Sequence, residues 1–228
     1  MDSSRSSILT QVKQAIQNPS HMPDEKIEGI ENRIKDKLKS ITPKAYFDSR
    51  EQFKKELEAV SGEFHVFKSK KEIIQFLKDF LTKNDYKILA HHGAGLCAEI
   101  AETTATEGKE LKVVNAVTLD YAERREALAG TDITIVDAAF AIADTGSLAV
   151  IVDDTPSLLP YYLPECVFVI VTPVQLLSNI FELFEIVPRD KAGNLMLITG
   201  PSRTADIEKI LILGAHGPRC LVVGMYEE

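Results

Sequence analysis

From residue 87 onward the chain alternates short runs rich in Val, Ile and Leu with segments of helical period, and this alternation restricts the fold more than any other feature. The runs occupy residues 87–90, 112–117, 133–136, 148–152, 167–171, 195–199 and 220–223. Helical patterns at 96–102, 176–184 and 206–213 stand between several of them. A parallel neighbour needs a crossover long enough to hold a helix. The order therefore predicts an α/β layer fold with a mainly parallel sheet. Residues 133–152 hold two runs too close for helical crossovers, so an antiparallel hairpin or meander is expected there.

The first 84 residues have a different texture. Ile8, Val12 and Ile16 recur at spacing four, and Ile27, Ile30, Ile34 and Leu38 form a second apolar stripe, with Pro19 and Pro23 between the two. Each stripe predicts an amphipathic helix. Ser49-x-x-Gln52 and Ser69-x-x-Glu72 have the pattern of capping boxes, followed by Phe53, Leu57 and Val60 and by Ile73, Leu77 and Phe80. Residues 64–67 between them suit a short strand. The expected organisation is a helical arm or lobe over 1–60 and an α/β domain over 61–228.

Charge changes along the same divide. Residues 1–84 carry 16 basic and 13 acidic side chains, and the remainder carries 10 and 21, giving −8 for the 228 residues. This balance argues against a nucleic-acid binder held by phosphate contacts. The longest uncharged run, 166–181, contains Pro173, Gln175, Ser178 and Asn179, so no membrane span is expected. The polar start lacks an apolar leader core, and the expectation is a cytoplasmic protein. Three cysteines without C-x-x-C spacing argue against a one-chain four-cysteine zinc or iron–sulfur site.

Four segments can carry chemistry. At 197–208 an apolar strand ends at Gly200-Pro201, Ser202 and Thr204 can cap a new helix, and Arg203 places a fixed cation beside its first N–H groups, a geometry that suits phosphate or carboxylate. Capping alone accounts for the other residues of that stretch. At 214–218, Gly217-Pro218 is a natural turn, and His216 is a candidate acid, base or ligand. At 141–147, Gly146 suits the positive φ of a hairpin turn, while Thr145 and Ser147 offer donors and Asp144 a base. At 91–98 a Gly-rich loop, with Gly93 and Gly95, opens a helix and can receive an anion. With Ala98 and Asp120 it also matches the dinucleotide fingerprint in form, although two histidines fill the strand end. Adjacent side chains on an extended backbone diverge, so His91 and His92 are not expected to share a metal.

The segments ADTGS at 143–147, TGPSRTADIE at 199–208 and GAHGP at 214–218, in this order and with strands around them, resemble the LUD-domain family typified by lactate utilisation protein C. The likeness runs over about residues 60–228. It implies a three-layer α/β sandwich of the NagB/RpiA/CoA-transferase type. It also implies a role beside an iron–sulfur protein and a cysteine-rich protein in a cytoplasmic system that oxidises L-lactate to pyruvate, with the clusters on those partners. Two departures stand out: the family commonly has Glu and Thr where Asp144 and Ser147 stand, and a His after the Leu-Pro pair, where residues 163–168 have none.

The expectation is an accessory or ligand-binding subunit whose segments 200–204, 216–218 and 144–147 gather at one end of the sheet around a small anion. Arg203 supplies charge; Gly93, Gly95, Thr145, Gly146, Ser147, Gly200, Ser202, Thr204 and Gly217 line the site; Asp144 or His216 is the acid or base. One rival is a stand-alone transferase or isomerase acting on a phosphorylated or CoA-linked molecule, with Glu99 or Asp144 as nucleophile. The other is an NAD-dependent oxidoreductase built on residues 93–98 and Asp120.

Overall fold

A computed structural model describes residues 43–92, 95–107, 111–151, 158–187, 195–205, 211–213 and 217–227. Its elements begin with α1 (Pro43–Ala59), β1 (Glu63–Phe67), α2 (Lys70–Asn84), β2 (Ile88–His91), α3 (Leu96–Glu107), β3 (Lys112–Asn115), α4 (Tyr121–Ala129) and β4 (Ile133–Asp137). They continue with β5 (Phe140–Ile142), β6 (Ser147–Ile151), α5 (Leu159–Tyr162), β7 (Cys166–Val171), a 3-10 turn (Pro173–Gln175), β8 (Leu176–Leu177) and α6 (Ile180–Ile186). The last strands are β9 (Leu195–Ile198), β10 (Arg203–Ala205), β11 (Leu211–Leu213) and β12 (Cys220–Tyr226).

Six strands form one sheet in the order β1-β12-β7-β4-β2-β3, and every pair in it is parallel. A sheet of this kind must be covered on both faces, and the central strand β7 shows it: all six of its residues are buried. Alternate residues point to opposite faces. Cys166, Phe168 and Ile170 face α2 and α3 and join Ile73, Leu77, Cys97 and Ile100. Val167, Val169 and Val171 face the other way and join Phe53 and Leu57 of α1 and Ala141, Leu148 and Val150 of a second sheet. Helices, parallel sheet, and a layer of α1 with the second sheet make a three-layer sandwich. That second sheet has the order β8-β5-β6-β9, and its outer face is covered by Leu183 and Ile186 of α6.

The expected hairpin within 133–152 is β5 and β6, paired antiparallel from Phe140↔Ala149 to Ile142↔Ser147. Ser69 caps α2 as its pattern predicts, accepting from Glu72 N at 3.3 Å while Glu72 reaches back to Lys68 N at 2.8 Å. Ser49 does not cap a helix. It lies inside α1, which begins at Pro43, a residue whose fixed φ suits a first helical turn. The helical pattern at 176–184 resolves into β8 followed by a short helix, because Asn179 caps at Phe181 N and Glu182 N.

The helix expected over 206–213 is not what residues 211–213 form. They are strand β11, antiparallel to β10, and residues 206–210 lie outside the described ones. A short Ile/Leu run suits either element, and pairing decides between them. Phe53 and Leu57, both fully buried, place α1 in the core of the α/β domain, while the stripes at Ile8–Ile16 and Ile27–Leu38 lie outside the described residues.

Two glycines with positive φ give a contrast. At Gly146 (φ 61°) a Cβ would overlap the backbone of Glu56 and Leu57, whereas at Gly95 (φ 73°) it would meet nothing within 4 Å. Gly146→Ala is expected to lower unfolding stability by about 2–4 kcal/mol from conformational strain plus overlap. Gly95→Ala carries only the conformational cost of about 1–2 kcal/mol. Urea titration of the two variants checks the difference.

Candidate functional site

The edge of the parallel sheet where its strands begin carries three of the sequence segments. Helix α1 ends there in a Schellman arrangement: Gly62 N donates to Leu57 O at 3.0 Å, and Ser61 holds the left-handed position with φ 68°. Gly146 packs on the backbone at Leu57, and Gly200 (φ 81°) packs on Val60. The guanidinium of Arg203 donates to Ser61 Oγ at 2.6 Å. A cation is favoured at that place by the negative end of the α1 dipole.

Further contacts join the segments to one another. The Ser147 and Thr199 hydroxyls are 2.7 Å apart, across the β6–β9 pairing. Ser202 N donates to Pro218 O at 2.8 Å, and Gly217 stands against the Ser202 side chain. Residues 144–147, 199–203 and 217–218 are thus linked in space around the end of α1. Asp144 is exposed in its turn, and Thr145 Oγ1 is buried with no hydrogen-bond partner.

The opposite edge, where the strands end, holds Gly95 and the two histidines. Between β2 and β4 the strand order reverses, because the chain runs from β2 outward to β3 and returns on the far side of β2. Crevices of this kind receive ligands in open α/β sheets. His92 N continues the ladder to Ile135 O at 3.1 Å, and its ring stands edge-on to Tyr161 at 6.4 Å. Tyr161 donates its hydroxyl to Asp137 O at 3.0 Å, and Gln175 Nε2 donates to Ala138 O at 2.6 Å, so side chains from two other elements pin the end of β4.

Electrostatics make this edge chemically distinct. Burial, and then the Arg124 guanidinium, hold the His92 imidazole below its usual value near 6.5, against an opposite pull from Asp137. Burial and the Asp137 carboxylate push the Cys97 thiol up to about 12 and raise the Tyr161 phenol as well. At neutral pH the edge presents a neutral imidazole, whose buried Nδ1 has no hydrogen-bond partner, beside an exposed carboxylate. Such a pair can accept or relay a proton. A cleft of about 630 Å³ opens on this same edge, lined by Lys70, Gly95, Glu99, Thr172, Pro173 and Tyr226 among others. The Lys70 ammonium and Glu99 carboxylate meet at 2.7 Å on its wall.

The structure therefore divides the expected site. Gly95 sits at the strand-end edge, away from Gly146, Gly200, Ser202, Arg203 and Gly217, because every strand of the sheet runs the same way. Ser202 and Thr204 do not cap a helix, since Arg203–Ala205 is strand β10, and Arg203 stands by the C-terminus of α1 instead of a helix start. Asp120 is the N-cap of α4, with Oδ1 accepting from Glu123 N at 2.9 Å, which accounts for its carboxylate without a ribose. Gly93 and His216 lie outside the described residues, and so does the Thr204 side chain. The grouping of His92, Asp137 and Tyr161 is one that sequence spacing missed. Its available signal is that two parallel strands end in polar residues, His91-His92 and Asp137.

A family model described as the LUD domain matches residues 50–223. The chain belongs to the LUD domain family. The fold of this LUD-domain chain is similar to the crystal structure of a DUF162 family protein from Deinococcus radiodurans, with TM-score 0.54 and 18% identity over 79% of this chain and 98% of that one. In sequence, the chain is similar to the uncharacterized protein NMB1437 of Neisseria meningitidis serogroup B, at 49% identity over 45 residues, 20% of this chain. The match spans 19% of that relative's length. Among the described residues no helix is long and apolar enough to cross a membrane.

Burial holds the His92 imidazole below its usual value in the folded protein. The folded state resists protonating this imidazole, so the unfolded state binds the extra proton first. Stability from this group is complete above pH 6.5 and declines as pH falls below it, until folded His92 protonates as well. His92→Gln is expected to flatten that part of a melting-temperature profile recorded between about pH 7.5 and 5. An unchanged slope would place the acid sensitivity elsewhere.

Proposed function

We propose that this LUD-domain chain is an accessory, ligand-binding subunit of a cytoplasmic iron–sulfur system that oxidises L-lactate to pyruvate, and that it holds a small carboxylate at the strand-start edge. The observation that carries this reading is the meeting of three motif segments beside the exposed Arg203 guanidinium. A guanidinium has five N–H donors in a planar fork, and Ser61 engages one of them, which leaves the fork able to pair with a carboxylate. The unpartnered Thr145 hydroxyl and the Ser147–Thr199 pair supply neutral hydrogen-bonding groups in the neighbouring segments. Asp144, and His216 next to Gly217 in sequence, are the acid or base of this reading. Iron–sulfur centres belong to cysteine-rich partners, in keeping with three cysteines in this chain.

A second reading takes the cleft at the strand-end edge as a substrate site of a stand-alone transferase or isomerase on a phosphorylated or CoA-linked molecule. Its volume lies in the range of small-molecule sites, and His92 stands on the same edge. In this reading Glu99 reacts only after its ion pair with Lys70 opens.

A tagged chain recovered from its native cell grown on lactate separates the two. Co-elution of iron–sulfur proteins, with lactate oxidation that depends on the chain, is expected. Arg203→Ala should keep the fold, at a cost below about 1 kcal/mol for an exposed cation at a helix end, and lose lactate-induced thermal stabilisation. A ligand at about 100 times its Kd stabilises by roughly 2.7 kcal/mol, so CoA, sugar phosphates, NAD and lactate can be compared in one panel. A homo-oligomer without partners that responds to CoA or a sugar phosphate would overturn the lactate reading in favour of the cleft.

A further inference from the structure

Two of the three cysteines stand side by side at the start of adjacent strands. Cys166 opens β7, Cys220 opens β12, and the two residues are direct partners in the parallel ladder. Neighbouring strands lie about 4.8 Å apart, within the Cα separations of about 4.4–6.8 Å that a disulfide spans. Both side chains lie on the face covered by α2 and α3. Cys166 is fully buried, whereas Cys220 is only partly buried at the rim, and both are free thiols.

The surroundings give the two sulfurs different parts. The neighbouring Cys220 sulfur, then burial and the charges of Glu63 and Glu165, raise the Cys166 thiol well above the ordinary thiol range. The adjacent Cys166 thiol in turn lowers Cys220, in spite of burial and the two carboxylates. The outer sulfur is the better nucleophile and the inner one is positioned to follow it. Tyr86 closes the group, its hydroxyl 3.5 Å from Glu165 Oε1. Cys97 is separate: it lies buried on α3 and packs beneath the far end of β4, near Asp137.

We propose that Cys166 and Cys220 form a thiol–disulfide exchange site, oxidised to an intramolecular disulfide by small uncharged or cationic disulfides. The Cys220 thiolate attacks one sulfur of the reagent, its S–S bond breaks, and a first thiolate leaves and takes up the proton lost by Cys220. Cys166 then attacks the Cys220 sulfur, the mixed disulfide breaks, and its proton goes to the second departing thiolate. The protein loses two electrons and two protons, and the reagent is reduced to two thiols. Glu63 and Glu165 beside the sulfurs disfavour anionic reagents. The inference is independent of what the chain binds.

The test treats the full native chain with cystamine or with glutathione disulfide, then quenches with acid, alkylates and maps peptides. Cystamine is expected to give a mass loss of about 2 Da per chain, a Cys166–Cys220 cross-linked peptide and an alkylatable Cys97, all reversed by a dithiol reductant. Cystamine should react several-fold faster than glutathione disulfide at low salt, with the gap narrowing as salt rises. Cys166→Ser should stop at a mixed disulfide on Cys220. Three unmodified thiols, a mixed disulfide without cross-link in the unsubstituted chain, or a cross-link through Cys97 would each overturn the proposal. The unsubstituted chain alone suffices if the variant does not fold.

Discussion

The described layers of this molecule are arranged by the need to cover a parallel sheet on both faces. A parallel strand in mid-sheet has neighbours on either side and no solvent face, so β7 reads Cys-Val-Phe-Val-Ile-Val and is buried throughout. Covering one face takes α2 and α3, which follow from local helical stripes. Covering the other takes α1 and a second sheet, whose inner residues Ala141, Leu148 and Val150 meet Val167, Val169 and Val171. The hairpin of β5 and β6 is therefore a layer of the core as well as a place for loops.

That second layer explains where the motif segments lie. Strand β5 leaves the end of β4 and crosses back over the sheet, so its turn at 144–147 arrives at the edge where the parallel strands start. Helix α1 runs the same way and ends there too, immediately before β1. The glycines of the segments are the residues that allow such contact. Gly146 and Gly200 pack directly on the backbone at Leu57 and Val60, in conformations that side chains rarely adopt. Their spacing in sequence thus serves close packing as well as any ligand. Arg203, held by Ser61 at the C-terminus of α1, combines a favourable position in the helix field with donors to spare.

The two edges of the sheet offer different chemistry. Around the end of α1 the strand-start edge gathers hydroxyls, backbone turns and the Arg203 guanidinium, and it also carries the paired thiols of Cys166 and Cys220 with the Glu63 and Glu165 carboxylates beside them. The strand-end edge gathers His92, Asp137 and Tyr161 at the reversal of strand order, with the cleft beside Gly95. Burial holds the imidazole neutral and the phenol protonated there.

By itself the sequence determined the class of fold, the seven expected strand regions, the cap at Ser69 and the hairpin after β4, because local period, β-branched runs and capping patterns act over a few residues. It also carried the motifs that mark the LUD-domain family, borne out by the match over residues 50–223. Only the tertiary structure decided that 211–213 pair as a strand, that Ser49 lies inside a helix, and that Gly95 and Arg203 serve opposite edges. The same holds for the neighbours of His92 and for the pairing of Cys166 with Cys220. Each of these depends on strand order and register, which join residues far apart in the chain and leave no local period to read.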